Sequence, residues 1–104
     1  MAATFQNLER AFQRRDEAAL RQLWPSIPER ELTKWRSNFK NARSIVYALR
    51  PKSAPTIDGS RASVDCRNVV RLEFPGDSQV YASDSTVQVL LTERDGNWIV
   101  QSIR

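Results

Sequence analysis

The chain has 104 residues, of which 40% are hydrophobic and 27% charged, as in an ordinary folded domain. This length predicts one domain, residues 1–104, with one buried core. The absence of histidine and the single cysteine, Cys66, exclude an internal disulfide and His-dependent nucleophile pairs, and they argue against most zinc sites. We therefore predict no metal and no other cofactor.

Three short amphipathic helices are predicted within the first 42 residues. Thr4 is a candidate cap for the first helix, and Asp16 for the second. Ser26 or Pro28 begins the third. Spacings of three and four residues define their apolar stripes. These stripes are Phe5, Leu8, Ala11 and Phe12; Ala19, Leu20, Leu23 and Trp24; and Leu32, Trp35, Phe39 and Ala42.

Strand patterns begin after the third helix. Residues 44–50 predict a strand with Tyr47 on its apolar side. Pro51 and Pro55 limit the next segment to an edge strand or a loop. The turn signal Asp58-Gly59 then leads into a longer strand.

Residues 61–74 predict a long antiparallel strand with one buried face. Even positions are apolar except Asn68, and odd positions are polar or charged except Val69. Two adjacent exceptions are typical of a β-bulge near residues 68 and 69, which would also help to bend the sheet. The alternative is that the Asn68 amide faces a ligand in a pocket, and the bulge is the favoured interpretation.

The last part of the chain predicts a hairpin. A reversal is expected at residues 75–78, residues 79–85 are ambiguous, and residues 86–94 and 97–103 are strands joined by a turn at Asp95-Gly96. Pairing continued from that turn places Arg94 opposite Asn97, Glu93 opposite Trp98, Leu91 opposite Val100, and Val89 opposite Ser102.

Helices followed by strands predict an α+β fold with the helices on one face of an antiparallel sheet. The chain also resembles the nuclear transport factor 2-like superfamily, with its SnoaL-like and ketosteroid-isomerase-like domains. The resemblance implies a cone-shaped, cystatin-like fold in which three N-terminal helices pack on a strongly bent antiparallel sheet, with a pocket at the mouth and a homodimer formed through the sheet. The matching residues are Arg15, Asp16 and Leu20; Ile57, Asp58, Gly59, Ala62 and Val64; and Val89, Leu91, Asp95, Gly96, Trp98 and Val100.

The pocket candidates are Tyr47, Asn68, Ser102 and Trp35. Tyr47 is expected either to line the pocket beside Asn68 and Ser102 or to be a core tyrosine whose hydroxyl reaches the rim. Trp24, Trp35 and Phe39 are expected either in an aromatic pocket wall or, as the favoured interpretation, simply in the core between helices and sheet.

No catalytic residue is predicted. Enzymatic members of the superfamily use a carboxylate in the pocket, and Asp65 is the nearest carboxylate in sequence, but its odd position places it on the wet face. We therefore expect a non-enzymatic module that binds a small hydrophobic ligand or a protein, such as an accessory domain at the C-terminal end of a larger bacterial protein. The alternative is a small isomerase or hydrolase acting on a hydrophobic compound.

The net charge of +4 is too small and dispersed to identify an anionic partner. Basic residues of the third helix, including Arg36 and Lys40, lie beside the apolar stripe rather than among exposed aromatic residues, so nucleic-acid binding is not favoured. The sequence has no apolar run that would span a membrane and no signal-peptide pattern at its start. A cytoplasmic location is expected.

Overall fold

The computed structural model describes residues 1–76 and 78–104. Three helices precede five strands in these ranges, which confirms the predicted α+β order. The helices are α1 (Ala2–Gln13), α2 (Glu17–Leu23) and α3 (Glu29–Asn41). The strands are β1 (Ser44–Pro51), β2 (Thr56–Asp58), β3 (Arg61–Glu73), β4 (Val80–Arg94) and β5 (Asn97–Ile103).

Two of the predicted helix starts are confirmed and one is wrong. The Asp16 carboxylate accepts a hydrogen bond from the Ala19 amide at 3.0 Å, as an N-cap does, and α3 begins directly after Pro28. Thr4 is not a cap, because α1 starts earlier, after Met1. Its buried hydroxyl instead donates to the Trp98 carbonyl at 2.8 Å and ties α1 to β5.

The five strands form one antiparallel sheet in the order β1-β3-β4-β5, with β2 beside β3. β1 and β2 share one edge of β3, and β2 is only three residues long, as expected downstream of Pro51. The sheet is strongly curled into a half-barrel that the helices cover, so the predicted cone-like architecture is confirmed. The predicted reversal at residues 75–78 includes Asp77, which lies outside the described residues.

The predicted bulge near Asn68 is wrong, because β3 keeps an unbroken register through Asn68 and Val69 with both neighbouring strands. The irregularity lies in the β4–β5 pair instead. Leu91 opposes Val100, but Leu90 opposes Ser102, so Gln101 is the extra residue of a bulge. Pairing is as predicted before this point and is shifted by one residue after it.

The core lies between the concave sheet face and the helices. Even-numbered residues of β3 face inward, and Val64 and Cys66 are fully buried there, as the alternation predicts. α1 packs against β1 and α2. Two links hold α3 in place: its Arg36 bonds the Glu17 carboxylate at 2.6 and 3.1 Å, and Arg15 donates to the Phe39 carbonyl at 2.8 Å.

β4 has an open edge beyond the end of β5. The Gln88 amide and carbonyl both bond the backbone of Arg104, and no described residue pairs with residues 80–87 on that side. These residues are exposed or half-buried. The open edge adjoins the cavity described next. Among the described residues, none of the helices is long and apolar enough to cross a membrane.

Candidate ligand-binding site

A cavity of about 590 Å³ opens between α3 and the concave face of the sheet. The sheet supplies Tyr47 from β1, Asn68, Val70 and Leu72 from β3, and Ser83 from β4. These side chains share one face because their residues are direct cross-strand partners or lie two positions apart. The sheet side of the cavity wall therefore combines apolar side chains with uncharged polar ones.

The α3 side of the cavity carries both aromatic and charged groups. Trp35 lines it together with Glu31, Lys34 and Asn38. The spacings of three and four residues place these side chains on one helix face. Trp35 is 5% exposed and also packs against Phe12, with ring centroids 4.5 Å apart. It is therefore both a core residue and part of the cavity wall.

The structure brings together three of the four predicted site residues: Tyr47, Asn68 and Trp35 all line the cavity. Ser102 does not, because the bulge at Gln101 places it opposite Leu90 on the outer face. Ile103 takes the inward position opposite Val89 and lines the cavity instead. That the three residues bind a ligand remains a prediction.

Tyr47 is held by ring contacts on two sides. Its ring stacks on Phe12 with centroids 3.9 Å apart, and it meets Trp35 nearly edge-on at 5.8 Å. Burial raises the pKa of the Tyr47 hydroxyl above its ordinary value, and this outweighs the opposing effect of a hydrogen bond with Asn68. Tyr47 is therefore a neutral phenol that offers a hydrogen bond rather than a charge.

Asn68 is the polar residue on the inward face of β3. Its amide nitrogen donates to the Ala48 carbonyl on the neighbouring strand at 2.9 Å. This bond fixes the orientation of the carboxamide beside Tyr47. Asn68 thus lies on the cavity wall, as the alternative interpretation predicted, and β3 has no bulge at this position.

The rim of the cavity carries charges that the sequence did not single out as site residues. Arg30, Glu31, Lys34 and Arg104 all line it. Glu31 and Lys34 form an ion pair at 3.6 Å, with side chains 39% and 60% exposed. One feature of the sequence could have identified two of these rim residues. Glu31 lies one helical turn before the pocket candidate Trp35 on α3, and Lys34 directly precedes it.

One buried donor in the cavity wall has no partner. Trp24 is 5% exposed and lines the cavity, and its indole Nε1–H makes no hydrogen bond with any described residue. A buried N–H without an acceptor is costly, so such groups are usually satisfied by water or a ligand. The sequence pattern left two interpretations of Trp24, either an aromatic pocket wall shared with Trp35 and Phe39 or the core between helices and sheet, and the structure places it in the cavity wall.

A second depression of about 710 Å³ lies between α1, α2 and the β4–β5 turn. None of the predicted site residues lines it. Trp98 does, which places the third tryptophan of the chain away from the cavity that Trp24 and Trp35 share.

The carboxylate considered from the sequence is outside the cavity. Asp65 is exposed and pairs with Gln88 on the outer face, as its odd position predicts. Within residues 1–76 and 78–104, no three Cys, Asp or Glu side chains come close enough together to hold a metal ion.

By sequence, no protein-family model and no curated protein matches the chain. Solved structures match nearly its whole length. A Streptomyces avermitilis protein of the nuclear transport factor 2-like family, provisionally named a dehydratase, superposes with a TM-score of 0.76 at 15% identity, covering 99% of this chain and 90% of that one. A conserved Planctomyces limnophilus protein gives 0.82 at 12% identity, covering 98% and 88%. A Kribbella flavida protein gives 0.80 at 13% identity, covering 99% and 84%.

These similarities establish the fold alone and no function, because the identities are 15% or lower. The chain has the nuclear transport factor 2-like fold, as the sequence motifs implied. That fold is compatible with a ligand-binding domain and with a small enzyme.

Proposed function

We propose that this chain is a non-enzymatic ligand-binding domain whose cavity takes a small, largely apolar molecule. The observation that carries the proposal is the open cavity of about 590 Å³, whose aromatic residues line it without filling it. Small-molecule sites in proteins are typically concave, mostly apolar and between about 300 and 1,000 Å³ in volume. Tyr47 and Asn68 would orient the ligand through hydrogen bonds.

Binding is tested with N-phenyl-1-naphthylamine, a neutral dye that fluoresces in apolar sites. Val70→Trp places a large side chain in the cavity and is expected to abolish saturable binding. Val69→Trp is the matched control, because Val69 precedes Val70 in β3 and its side chain therefore lies on the opposite, outer face of the sheet. Equal binding by wild type and both variants, or no binding by wild type, would overturn the proposal.

A small isomerase or hydrolase is the second candidate function, and Glu31 is the observation in its favour. Its carboxylate lines the cavity, and its charge contributes to the raised pKa of Tyr47. A carboxylate base and a neutral phenol donor are a workable pair for proton transfer. However, Glu31 is 39% exposed and paired with Lys34, whereas catalytic groups are usually set apart by burial.

The enzymatic alternative is tested by turnover of p-nitrophenyl esters and of a β,γ-unsaturated ketone. If the domain is non-enzymatic, the wild type is expected to turn over neither compound faster than Glu31→Gln does. A rate that depends on Glu31 and on Tyr47 would favour the enzyme.

We also propose a homodimer formed through the outer face of the sheet. Val46 and Val80 are 45% and 43% exposed there, and half-buried Val69 lies on the same face. Exposed apolar patches on a sheet often mark interfaces. Sedimentation is expected to give twice the chain mass of 12.0 kDa for the wild type.

Val46→Glu is expected to shift the protein to the monomer. Ile57→Glu is the control, since Ile57 is 56% exposed but lies on the short strand β2. A wild-type monomer at every concentration would rule out the dimer.

Three further proposals concern the setting of the domain. Residues 1–104 are proposed to form one folding unit, supported by a core that joins all three helices to the sheet. A cytoplasmic location is proposed as well, supported by the free, buried Cys66. An accessory role in a larger bacterial protein is the third proposal. A single cooperative unfolding transition followed by both tryptophan fluorescence and circular dichroism would support one unit, and two transitions would contradict it.

A further inference from the structure

We infer that the cavity is selective for an acidic ligand: a small apolar body carrying one carboxylate, sulfonate or phosphate group at the rim. The inference rests on the proposed ligand-binding function and names the class of ligand. It is drawn from the charges at the rim, the start of α3 and the unpartnered donor of Trp24.

The charges that line the cavity are predominantly positive. Arg30, Lys34 and Arg104 face a single acidic side chain, Glu31, among the described lining residues. Because Glu31 pairs with Lys34 at 3.6 Å, those two charges largely offset each other. Arg30 makes no ion pair within the described part of the chain, so its guanidinium is available to an anion.

The N-terminus of α3 adds to this positive potential. Pro28, its N-cap, lines the cavity and has no side-chain oxygen to accept the first helical N–H groups. Backbone N–H groups at a helix start attract anions. Of the acids in the first turn, Glu29 lies 3.7 Å from Arg36 and Glu31 is paired with Lys34, so each is engaged by a cation.

The Trp24 indole provides the independent observation. Its Nε1–H is buried, belongs to a residue that lines the cavity and has no acceptor among residues 1–76 and 78–104. Because this N–H is shielded from the open cavity, the ring would have to turn for a ligand oxygen to accept from it, whereas a cationic ligand would place a second positive charge beside Arg30. The apolar wall formed by residues such as Val70 and Leu72 would hold the body of the same ligand.

Two dyes with the same aromatic body test the inference. 8-Anilinonaphthalene-1-sulfonate carries one sulfonate, and N-phenyl-1-naphthylamine lacks it. We expect the sulfonate to displace the neutral dye. At low salt it should bind about three- to fivefold more tightly, because one partly exposed ion pair contributes a free energy of that size. This preference should shrink toward unity at 1 M salt, where the Debye length falls to about 3 Å.

Arg30→Gln should remove most of the preference for the sulfonate, measured as the ratio of the affinities of the two dyes for the same variant. Lys40→Gln is the matched control: it removes one charge from an exposed position on the same helix that does not line the cavity. Arg30→Lys should restore part of the preference. Thermal unfolding of each variant verifies that it is folded.

The outcomes separate the ligand class from the proposed function. Binding of both dyes with equal affinity, or a sulfonate preference that Arg30→Gln and Lys40→Gln reduce alike, overturns the acidic class and leaves the ligand-binding function standing. If neither dye binds saturably, both the acidic class and the ligand-binding function are overturned.

Discussion

Phe12 and Tyr47 stack with their ring centroids 3.9 Å apart and their planes inclined by 18°, and both residues line the cavity. The pair joins α1 to β1 through two buried rings, of which Phe12 is fully buried. Stacked aromatic rings bury a large area and hold each other's orientation. The floor of the cavity is therefore built from the core itself, and Tyr47 presents its hydroxyl from a fixed ring.

The first prediction concerns the ionisation of Tyr47. In a Tyr81→Phe background, Tyr47 is the remaining tyrosine, since the chain has two. Burial raises its pKa above the ordinary value of 10.0. We expect no phenolate absorbance from the folded protein near pH 10, and a phenolate there without unfolding would contradict the buried position.

The same shift predicts a dependence of stability on pH. Because the folded state holds the Tyr47 proton more tightly, its contribution to the free energy of unfolding is complete below pH 10. It decreases as pH rises above 10, where the unfolded chain ionises first. Tyr47→Phe, which keeps the ring, should make the decrease in this range less steep, as measured by urea unfolding at several pH values.

The second prediction concerns the thiol of Cys66. Burial, and secondarily the charge of Asp65, raise its pKa from 9.0 to about 11. Since the thiolate is the reactive form, a disulfide reagent such as 5,5′-dithiobis(2-nitrobenzoate) should label Cys66 at pH 8 only through opening of the structure. The labelling rate should rise steeply with urea; immediate labelling in native buffer would show that the thiol is accessible.

The third prediction tests the cap of α2. Asp16→Ala removes the acceptor for the Ala19 amide and should lower the free energy of unfolding by about 1 kcal/mol. Asp16→Asn is the control, because its side-chain oxygen still accepts the bond. Chemical denaturation of the three proteins measures the difference. Equal losses in both variants would mean that charge rather than capping explains the effect.

The fourth prediction tests the open edge of β4. Strand alternation turns the Ala82 amide toward that edge, in phase with Gln88, whose amide donates to the Arg104 carbonyl at 3.0 Å. Proline removes an amide donor and is tolerated mainly at strand edges. We expect Gln88→Pro to cost at least about 1 kcal/mol more than Ala82→Pro. The reverse order, measured by thermal unfolding, would mean that the edge is covered.

Much of the fold was predictable because it depends on local patterns. Alternation along β3 placed Val64 and Cys66 in the core and Asp65 outside, and the turn at Asp95-Gly96 set the pairing of Leu91 with Val100. Both follow from the strict period of two in a strand. The start of α1 was misplaced because Thr4 bonds the distant Trp98 carbonyl, a contact between residues far apart in sequence.

The site was predictable only in part, because it depends on where the register breaks. One extra residue, Gln101, moved Ser102 outward and Ile103 inward, and nothing in the local pattern marks that bulge. The reverse error was made at Asn68, where a polar residue on an inward face was interpreted as a break. The rim residues Arg30 and Glu31 were missed because their role depends on how α3 lies against the sheet.

The most direct test of the central claim follows the three tryptophan indole N–H signals by ¹H–¹⁵N correlation spectroscopy while N-phenyl-1-naphthylamine is added. Trp24 and Trp35 line the cavity, and Trp98 lies in the other depression, so the chain contains its own control. Saturable shifts of the Trp24 and Trp35 signals, with the Trp98 signal unmoved, are predicted. Shifts confined to Trp98, or no saturable shift at all, would contradict a ligand site in this cavity.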